Sequence, residues 1–335
     1  MIELPAGDPT VEELADWAEL EIMFGDTLGM GTGQLAQLFA NAFGDDEPDE
    51  LRLEQEQLTD DEMEFDERSL REDIRAAAAA GDSPSSRRAD DVLRELSFRA
   101  QVVGGAYPLS VDGGGIELLR LWDDDPLYAF LALVGARLES GLDIPFHEPA
   151  WLFEEIVACA LARYVGGTGY RFGWPQKDGE PIEDFVAKAR RLSKRLGELP
   201  GAMRNVSPAA KDYTLDVVAW RSFADDTPEQ PTPGQLVVLC QCGIGKDWAA
   251  KSMQVGKWRE VIQFSVEPIA ALAFPHTPSR VDSELHRWHD VASSPSIPFD
   301  RLRIASLLTV EDLPGALIAR LRDWIERSLD KLPID

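Results

Sequence analysis

Apolar residues occur along this chain in short runs and amphipathic stretches, and two of the runs predict the centre of a sheet. Residues 217–220 and 236–239 are rich in β-branched side chains and are bounded by Pro, Gly and polar residues. Such runs are typical of buried strands rather than of amphipathic helices. Residues 227–234, which lie between the runs, contain Thr, Pro and Gly at turn-forming positions. We therefore predict two strands that lie side by side in one sheet.

The N-terminal part of the chain shows mainly helical patterns. Thr10 and Glu13 form a capping-box pattern, which predicts a helix start. Further helices are predicted over residues 35–43, 89–103 and 126–140, and a β-hairpin is predicted across residues 106–121, with its turn at the Asp-Gly-Gly-Gly sequence. This combination predicts a mostly helical domain with a small β-hairpin, and it resembles a winged-helix module.

The C-terminal part alternates between helical patterns and short apolar runs. Helices are predicted over residues 151–165 and 181–199, after Trp248, and over residues 309–332. Strands are predicted over residues 170–174, 269–274 and 304–308, in addition to the two central ones. Strands that alternate with helices indicate an α/β domain.

Charge separates the two parts. Residues 1–140 contain 33 acidic residues, 10 arginines and no lysine, a net charge of −23, which leaves only −4 of the total of −27 for residues 141–335. We therefore expect two domains, 1–140 and 141–335, and a solvated acidic surface segment over residues 44–73. The alternative for that segment is a partner-binding or DNA-mimicking role.

Composition also bears on the compartment. The chain lacks a long apolar run, and its first residues lack the pattern of a signal peptide. Its three cysteines include no CxxC pair, and we expect all three to be reduced and buried. The expectation is a cytoplasmic protein without a membrane segment.

Candidate chemistry lies at the ends of the two central strands. Asp216 opens the first strand, Gln241 ends the second, and Lys246 follows shortly after. Adjacent strands would bring the carboxylate and the amide oxygen together, and hard oxygen ligands are what Mg²⁺ prefers. Asp212 is a minor further candidate ligand, and Glu154 lies early in the preceding helix.

The order of these features resembles the PD-(D/E)xK restriction-endonuclease-like superfamily, and most of all its Mrr-type branch. The resemblance covers about residues 150–265 and rests on Phe153-Glu154, Gly169-Tyr170, Leu215-Asp216-Val217-Val218 and Leu239-Cys240-Gln241-Cys242. It implies a restriction-endonuclease-like core, in which a mixed sheet is flanked by helices, and Mg²⁺- or Mn²⁺-dependent cleavage of nucleic-acid phosphodiesters, with DNA as the expected substrate.

The resemblance also implies a role for each matching residue. Glu154, Asp216 and Gln241 would hold the metal ion, and Lys246 would supply the catalytic ammonium group, with Glu155 as the alternative to Glu154 on the same helical turn. The lysine of the family pattern belongs two residues after Gln241, where this chain has Gly243.

A basic helix would supply phosphate contacts through Lys188, Arg191, Lys194 and Arg195. The alternative is that these side chains form an ordinary solvated helix face.

Two functions follow as expectations. The first is a metal-dependent nuclease, a prokaryotic restriction or anti-phage defence component that works with protein partners or as a homo-oligomer. The second is a catalytically degenerate nuclease fold that acts as a binding or scaffold subunit, which the glycine at position 243 and the negative charge favour.

Overall fold

The structure is a computed structural model in which the chain divides into two units. It describes residues 2, 4–5, 7–25, 27–44, 83–136, 147–173, 184–203, 212–227, 229–245, 247–279 and 296–331. Almost all of the predicted acidic segment, and Lys246, lie outside these residues. One unit contains the described residues up to Gln101 together with Pro108–Leu121, and the other contains Val102–Tyr107 and the described residues from Trp122 onward. The division falls near residue 121, whereas the charge pattern placed it at residue 140.

The first unit combines helices with a three-stranded antiparallel sheet of strand order β1-β3-β2. Its elements are α1 (Val11–Phe24), β1 (Gly29–Gly31), α2 (Thr32–Phe43), α3 (Pro84–Val103), β2 (Leu109–Asp112) and β3 (Gly115–Leu118). The capping box is confirmed, because Thr10 Oγ1 accepts the Glu13 N–H at 3.2 Å and the Glu13 carboxylate accepts the Thr10 N–H at 2.9 Å. The hairpin β2–β3 is confirmed as well, whereas β1 was not predicted.

A buried ion cluster joins α3 to α1 in this unit. The Arg99 side chain is fully buried, and its guanidinium group lies 2.6 Å from Asp16, 2.9 Å from Glu19 and 2.8 Å from Glu95. Glu19 is fully buried too. A buried charge is tolerated only when it is paired and hydrogen-bonded, so the arginine and these carboxylates depend on one another.

The second unit is built on a five-stranded mixed sheet of order β10-β9-β7-β6-β4. Strand β6 runs antiparallel to both of its neighbours, β4 and β7, whereas β9 runs parallel to β7 and β10 runs parallel to β9. Its elements are α4 (Pro126–Ala136), α5 (Glu148–Val165), β4 (Thr168–Arg171), α6 (Phe185–Arg195), β5 (Leu199–Pro200), β6 (Val217–Arg221), β7 (Leu236–Cys242), α7 (Val255–Val261), β8 (Ile262–Gln263), β9 (Ile269–Ala273), β10 (Ile297–Phe299), α8 (Arg301–Leu307) and α9 (Gly315–Leu329). The mixed α/β class is thereby confirmed.

Helices flank this sheet on both faces. Helix α5 lies on one face so closely that a Cβ atom at Gly169 of β4 would come within 1.9 Å of the Ala158 carbonyl oxygen. Side chains of α6 and α7 pack with Val218 and Leu239 in a hydrophobic cluster on the other face. The two central strands therefore lie between helical layers, which explains why they are apolar on both faces.

Two expectations, one for residues 304–308 and one for the helix near residue 130, differ from the structure. Residues 304–308 do not form a strand, because Ile304 lies in α8, whose first turn is capped by the Asp300 carboxylate accepting the Arg303 N–H at 2.9 Å. The strand is β10, just before that cap. Helix α4, which was assigned to the N-terminal domain, belongs to the second unit and packs against α9, with the Phe130 and Trp324 rings 5.0 Å apart.

Two further observations concern the cysteines and the apolar character of the helices. Cys240 and Cys242 are buried, Cys159 is half-buried, and all three are free thiols. Within the described ranges, no helix combines the length and the apolar character needed to cross a membrane.

Candidate functional site

The site is built where β6 begins and β7 ends. The Asp216 N–H donates to the Cys240 carbonyl at 3.0 Å, and the Cys242 N–H donates to Asp216 Oδ2 at 2.7 Å. Val217 is the register partner of Cys240, the last pair of the antiparallel ladder, and Asp216 also lies against Cys240 through its N–H. The prediction that the two strands are neighbours is confirmed, and Asp216 lies at the end of β7 that carries Gln241.

The chain beyond β4 fixes Asp216 from the other side. The Phe172 and Gly173 N–H groups both donate to the Asp216 carbonyl oxygen, at 2.7 and 2.9 Å. The backbone of Asp216 is therefore hydrogen-bonded to both neighbouring chain segments. Its carboxylate is held at a defined place at the sheet end.

A strained turn precedes Asp216. Tyr213 and Thr214 have φ values of 50° and 64°, in the left-handed region that β-branched residues such as threonine rarely adopt. The turn is held by the Thr214 N–H, which donates to Asp212 Oδ1 at 2.9 Å, and by Trp258 Nε1, which donates to the Tyr213 carbonyl at 3.2 Å. Such strain persists only where surrounding contacts enforce it, and it is concentrated at functional sites.

Glu154 reaches the site from α5. Its side chain is buried, and its carboxylate lies 2.7 Å from Arg171 Nε as an ion pair, without the alignment of a regular hydrogen bond. A Cβ atom at position 173 would lie 2.5 Å from Glu154 Oε2, so Gly173 leaves the space that this carboxylate occupies. The alternative, Glu155, points away and pairs with Arg320 of α9. Of the two glutamates, Glu154 is therefore the site residue.

The two acids have strongly raised pKa values. Burial, and then the negative charge of Asp216, raise the pKa of Glu154 to about 8, against the lowering effect of Arg171. Burial is also the main cause that raises the pKa of Asp216 to about 7, whereas the Cys242 N–H and the positive charge of Lys251 lower it. Asp216 nevertheless keeps part of its surface in water. The pair therefore retains a proton near neutral pH unless a cation offsets its charge.

Gln241 completes the oxygen side of the site. Its Oε1 atom is buried and has no hydrogen-bond donor among the described residues. A buried carbonyl-type oxygen without a partner is unfavourable by about 1–3 kcal/mol. Such an atom in a native site suggests a missing ligand or water.

The basic side chains of the predicted helix, α6, lie in two different environments, one buried and one at the surface. Lys188 is buried and its Nζ donates to the Phe172 carbonyl at 2.6 Å, beneath the site rather than on the surface. Arg191 donates to the Tyr170 hydroxyl at 3.2 Å, and the Arg195 guanidinium lies 4.4 Å from the centre of the Tyr170 ring. Lys194 is exposed. The surface presented by α6 therefore contains a group of Arg191, Tyr170 and Arg195, and Lys188 lies apart from it.

Sequence reasoning missed Arg171, Gly173 and Lys251. None of the three belongs to a local motif, since each reaches the site through a strand end or through a segment that folds back over it. The Lys251 Nζ donates to the Cys242 carbonyl at 3.3 Å. Trp248, which anchors this segment on Phe274, was visible in the sequence, but the direction in which the segment folds was not.

Comparisons with known proteins do not assign the chain. No family profile, no curated protein and no solved structure gives a significant match. Among the described residues, no three His, Cys, Asp or Glu side chains converge as a metal-holding group.

Proposed function

We propose that the second unit is a metal-dependent nuclease of the PD-(D/E)xK type that hydrolyses phosphodiester bonds in nucleic acid. The observation that carries the proposal is the Glu154–Asp216 carboxyl pair at the end of the sheet, with the unpartnered Gln241 oxygen on the strand next to Asp216. The order of elements supports it, because a helix with Glu154, the strand β4, a strand preceded by Asp216, a strand ending in Gln241 and then a helix is the order on which the resemblance rests.

The oxygen donors suit Mg²⁺ or Mn²⁺. Magnesium is usually bound through one or two carboxylates, and it keeps several waters and substrate phosphate oxygens as its other ligands. Asp216 and Gln241 would hold it from the protein, and the orphan Gln241 oxygen is the observation that fits such a ligand. Glu154, engaged with Arg171, would contribute through its charge or through a bound water. The ion would supply a water of lowered pKa and would offset phosphate charge.

The remaining side chains have roles of their own. Arg171 would balance Glu154 and keep its carboxylate aimed at the site. The group of Arg191, Tyr170 and Arg195, together with the exposed Lys194, would contact the nucleic-acid backbone, since guanidinium groups bind phosphate and the contact does not depend on sequence. Lys188 would act by holding the Phe172 carbonyl, not by touching phosphate.

A plasmid-cleavage assay tests the proposal. We expect the purified chain to nick supercoiled DNA in Mg²⁺ or Mn²⁺, and we expect Asp216→Asn to slow the reaction by at least about 100-fold. The matched control is Asp226→Asn, because Asp226 is a half-buried acid whose carboxylate accepts hydrogen bonds only from its own loop, from Phe223 and Thr232 among others. Cleavage by Asp216→Asn at the rate of the unaltered chain would reject the site.

A second candidate is a nuclease fold that binds nucleic acid or a protein partner without cutting. Gly243, and the capture of Glu154 by Arg171, favour it. Fluorescence anisotropy with a short DNA duplex separates the two. A binder would show no cleavage in any metal, and its affinity would fall in Arg191→Gln or Arg195→Gln but not in Asp216→Asn.

The wider setting remains a proposal too. The resemblance places such a nuclease in the cytoplasm of a prokaryote, in restriction or anti-phage defence, with protein partners or as a homo-oligomer. The β1-β3-β2 sheet of the first unit supports the resemblance of that unit to a winged-helix module.

A further inference from the structure

The position where the family pattern expects a lysine is crowded by other side chains. A Cβ atom at Gly243 would lie 3.0 Å from Trp248 Cβ and 3.2 Å from Lys251 Cδ. Both separations are tighter than ordinary van der Waals contact, so a side chain at position 243 would require Trp248 and Lys251 to shift by a few tenths of an ångström. The glycine at this position thus accommodates Lys251 where it lies.

Lys251 passes over Gly243 towards the carboxylates. Its Nζ donates to the carbonyl of Cys242, the residue whose N–H binds Asp216 Oδ2. The carboxylate and the ammonium group are therefore bound by the backbone of one residue, Cys242. The side chain is half-buried, which leaves its charge effective but accessible to a substrate.

The segment that carries Lys251 is anchored rather than loose. Trp248 stacks on Phe274 with the ring centres 4.1 Å apart and an interplanar angle of 27°. The Lys251 N–H donates to the Trp248 carbonyl at 3.1 Å, and Met253 is buried in the cluster beneath α7. The Gly243 N–H in turn donates to the Ala273 carbonyl at 2.8 Å. The lysine is therefore positioned by the fold on both sides of the strand end.

We propose that Lys251 supplies the catalytic ammonium group of this site, in place of a lysine at position 243. This inference rests on the proposed nuclease function. In hydrolysis the water oxygen bonds to phosphorus, an ester P–O bond breaks, and the proton that the water loses is matched by one that the leaving oxygen gains. Lys251 would donate a hydrogen bond to a non-bridging phosphate oxygen, where negative charge accumulates, and it would take no part in binding the metal ion.

Two substitutions separate charge from structure. Lys251→Gln keeps a donor for the Cys242 carbonyl but removes the charge, whereas Lys251→Arg keeps the charge. We expect plasmid cleavage to fall by about 100-fold or more in Lys251→Gln and by less than about 10-fold in Lys251→Arg. Lys257→Gln is the control: Lys257 is an exposed lysine on the next helix, and its replacement should leave the rate unchanged.

Mn²⁺ affinity by calorimetry and the urea midpoint give readouts other than activity. Because Lys251 is not a ligand, we expect the Kd for Mn²⁺ in Lys251→Gln to stay within about 3-fold of that of the unaltered chain, with an unchanged midpoint. A merely structural lysine would instead lower the midpoint and weaken Mn²⁺ binding together with cleavage.

The outcomes distinguish this inference from the proposed function. If the unaltered chain and Lys251→Gln cleave equally, or if Lys246→Gln alone abolishes cleavage, the assignment of Lys251 is overturned and the nuclease stands. If the unaltered chain cleaves nothing in Mg²⁺ or Mn²⁺, the nuclease proposal itself fails, and the role of Lys251 fails with it.

Discussion

The carboxyl pair makes the stability of the second unit depend on pH in an unusual direction. The pKa of Asp216 is raised from 3.8 to about 7 in the folded chain, mainly by burial. Between these two values the folded state holds more protons than the unfolded state. The contribution of Asp216 to the free energy of unfolding is therefore fully present below about pH 4, and this contribution is lost as the pH rises towards 7. Asp216→Asn removes the titrating group and should abolish this loss.

The size of the effect follows from the pKa difference. A tenfold change in proton affinity corresponds to about 1.4 kcal/mol, so a change from 3.8 to about 7 would destabilise the fold by about 4 kcal/mol once the group is ionised. Because Asp216 keeps part of its surface in water, screening reduces this figure, and we expect about 2 kcal/mol. The Asp216 charge is also one cause of the raised pKa of Glu154, so its removal makes ionised Glu154 less unfavourable in the folded state. Both effects therefore stabilise the Asp216→Asn variant.

The assay is urea denaturation of the full chain, followed by tryptophan fluorescence at pH 5 and pH 8. We expect Asp216→Asn to be about 2 kcal/mol more stable than the unaltered chain at pH 8, and to show a smaller difference at pH 5. The control Asp226→Asn should show no such gain. Hydrogen bonds from Thr232 and Phe223 lower the pKa of Asp226, so this group is ionised at both pH values. An equal difference at the two pH values, or a loss of stability at pH 8 alone, would refute the reasoning.

Two further predictions concern packing. Arg99→Leu should destabilise the first unit by about 3–5 kcal/mol, since it leaves the fully buried Glu19 carboxylate without its arginine; a urea midpoint unchanged within error would contradict this. Gly169→Ala should destabilise the second unit by about 1–3 kcal/mol or more, because the Cβ atom of the new alanine would collide with the Ala158 carbonyl. Gly256→Ala meets only open space and should be neutral or slightly stabilising, so equal melting temperatures for the two glycine variants would show that the close approach of α5 is not rigid.

The sequence predicted the central strands because their signal is local. Residues 217–220 and 236–239 are apolar, β-branched and bounded by turn residues, and the structure places them side by side as β6 and β7. The residues at their ends followed from the strand boundaries alone. By contrast, Ile304 lies in an apolar run that is too short to distinguish the periodicity of a helix from that of a strand. In the structure this run is helical, because Asp300 caps the first turn of α8. Strand β1 has three residues, of which two are glycines, and carries no pattern.

The electrostatic partners in the site could not be predicted from the sequence. Arg171 meets Glu154 because β4 lies beneath α5, and Lys251 meets the Cys242 carbonyl because Trp248 folds the chain back over Gly243. Both contacts depend on packing between elements rather than on spacing within one. A family pattern locates residues by spacing, so it points to position 243 and does not reveal Lys251.

The cations around the carboxyl pair bear on the choice between the two candidate functions. In a structural ion cluster the charged groups contact one another directly. Around Arg99, one arginine lies at hydrogen-bond distance from three carboxylates. The Glu154–Asp216 pair is different. Burial raises the pKa values of both acids, although Arg171 lowers that of Glu154 and Lys251 lowers that of Asp216. Burial thus outweighs the two cations, which is the condition under which an added divalent cation gains most.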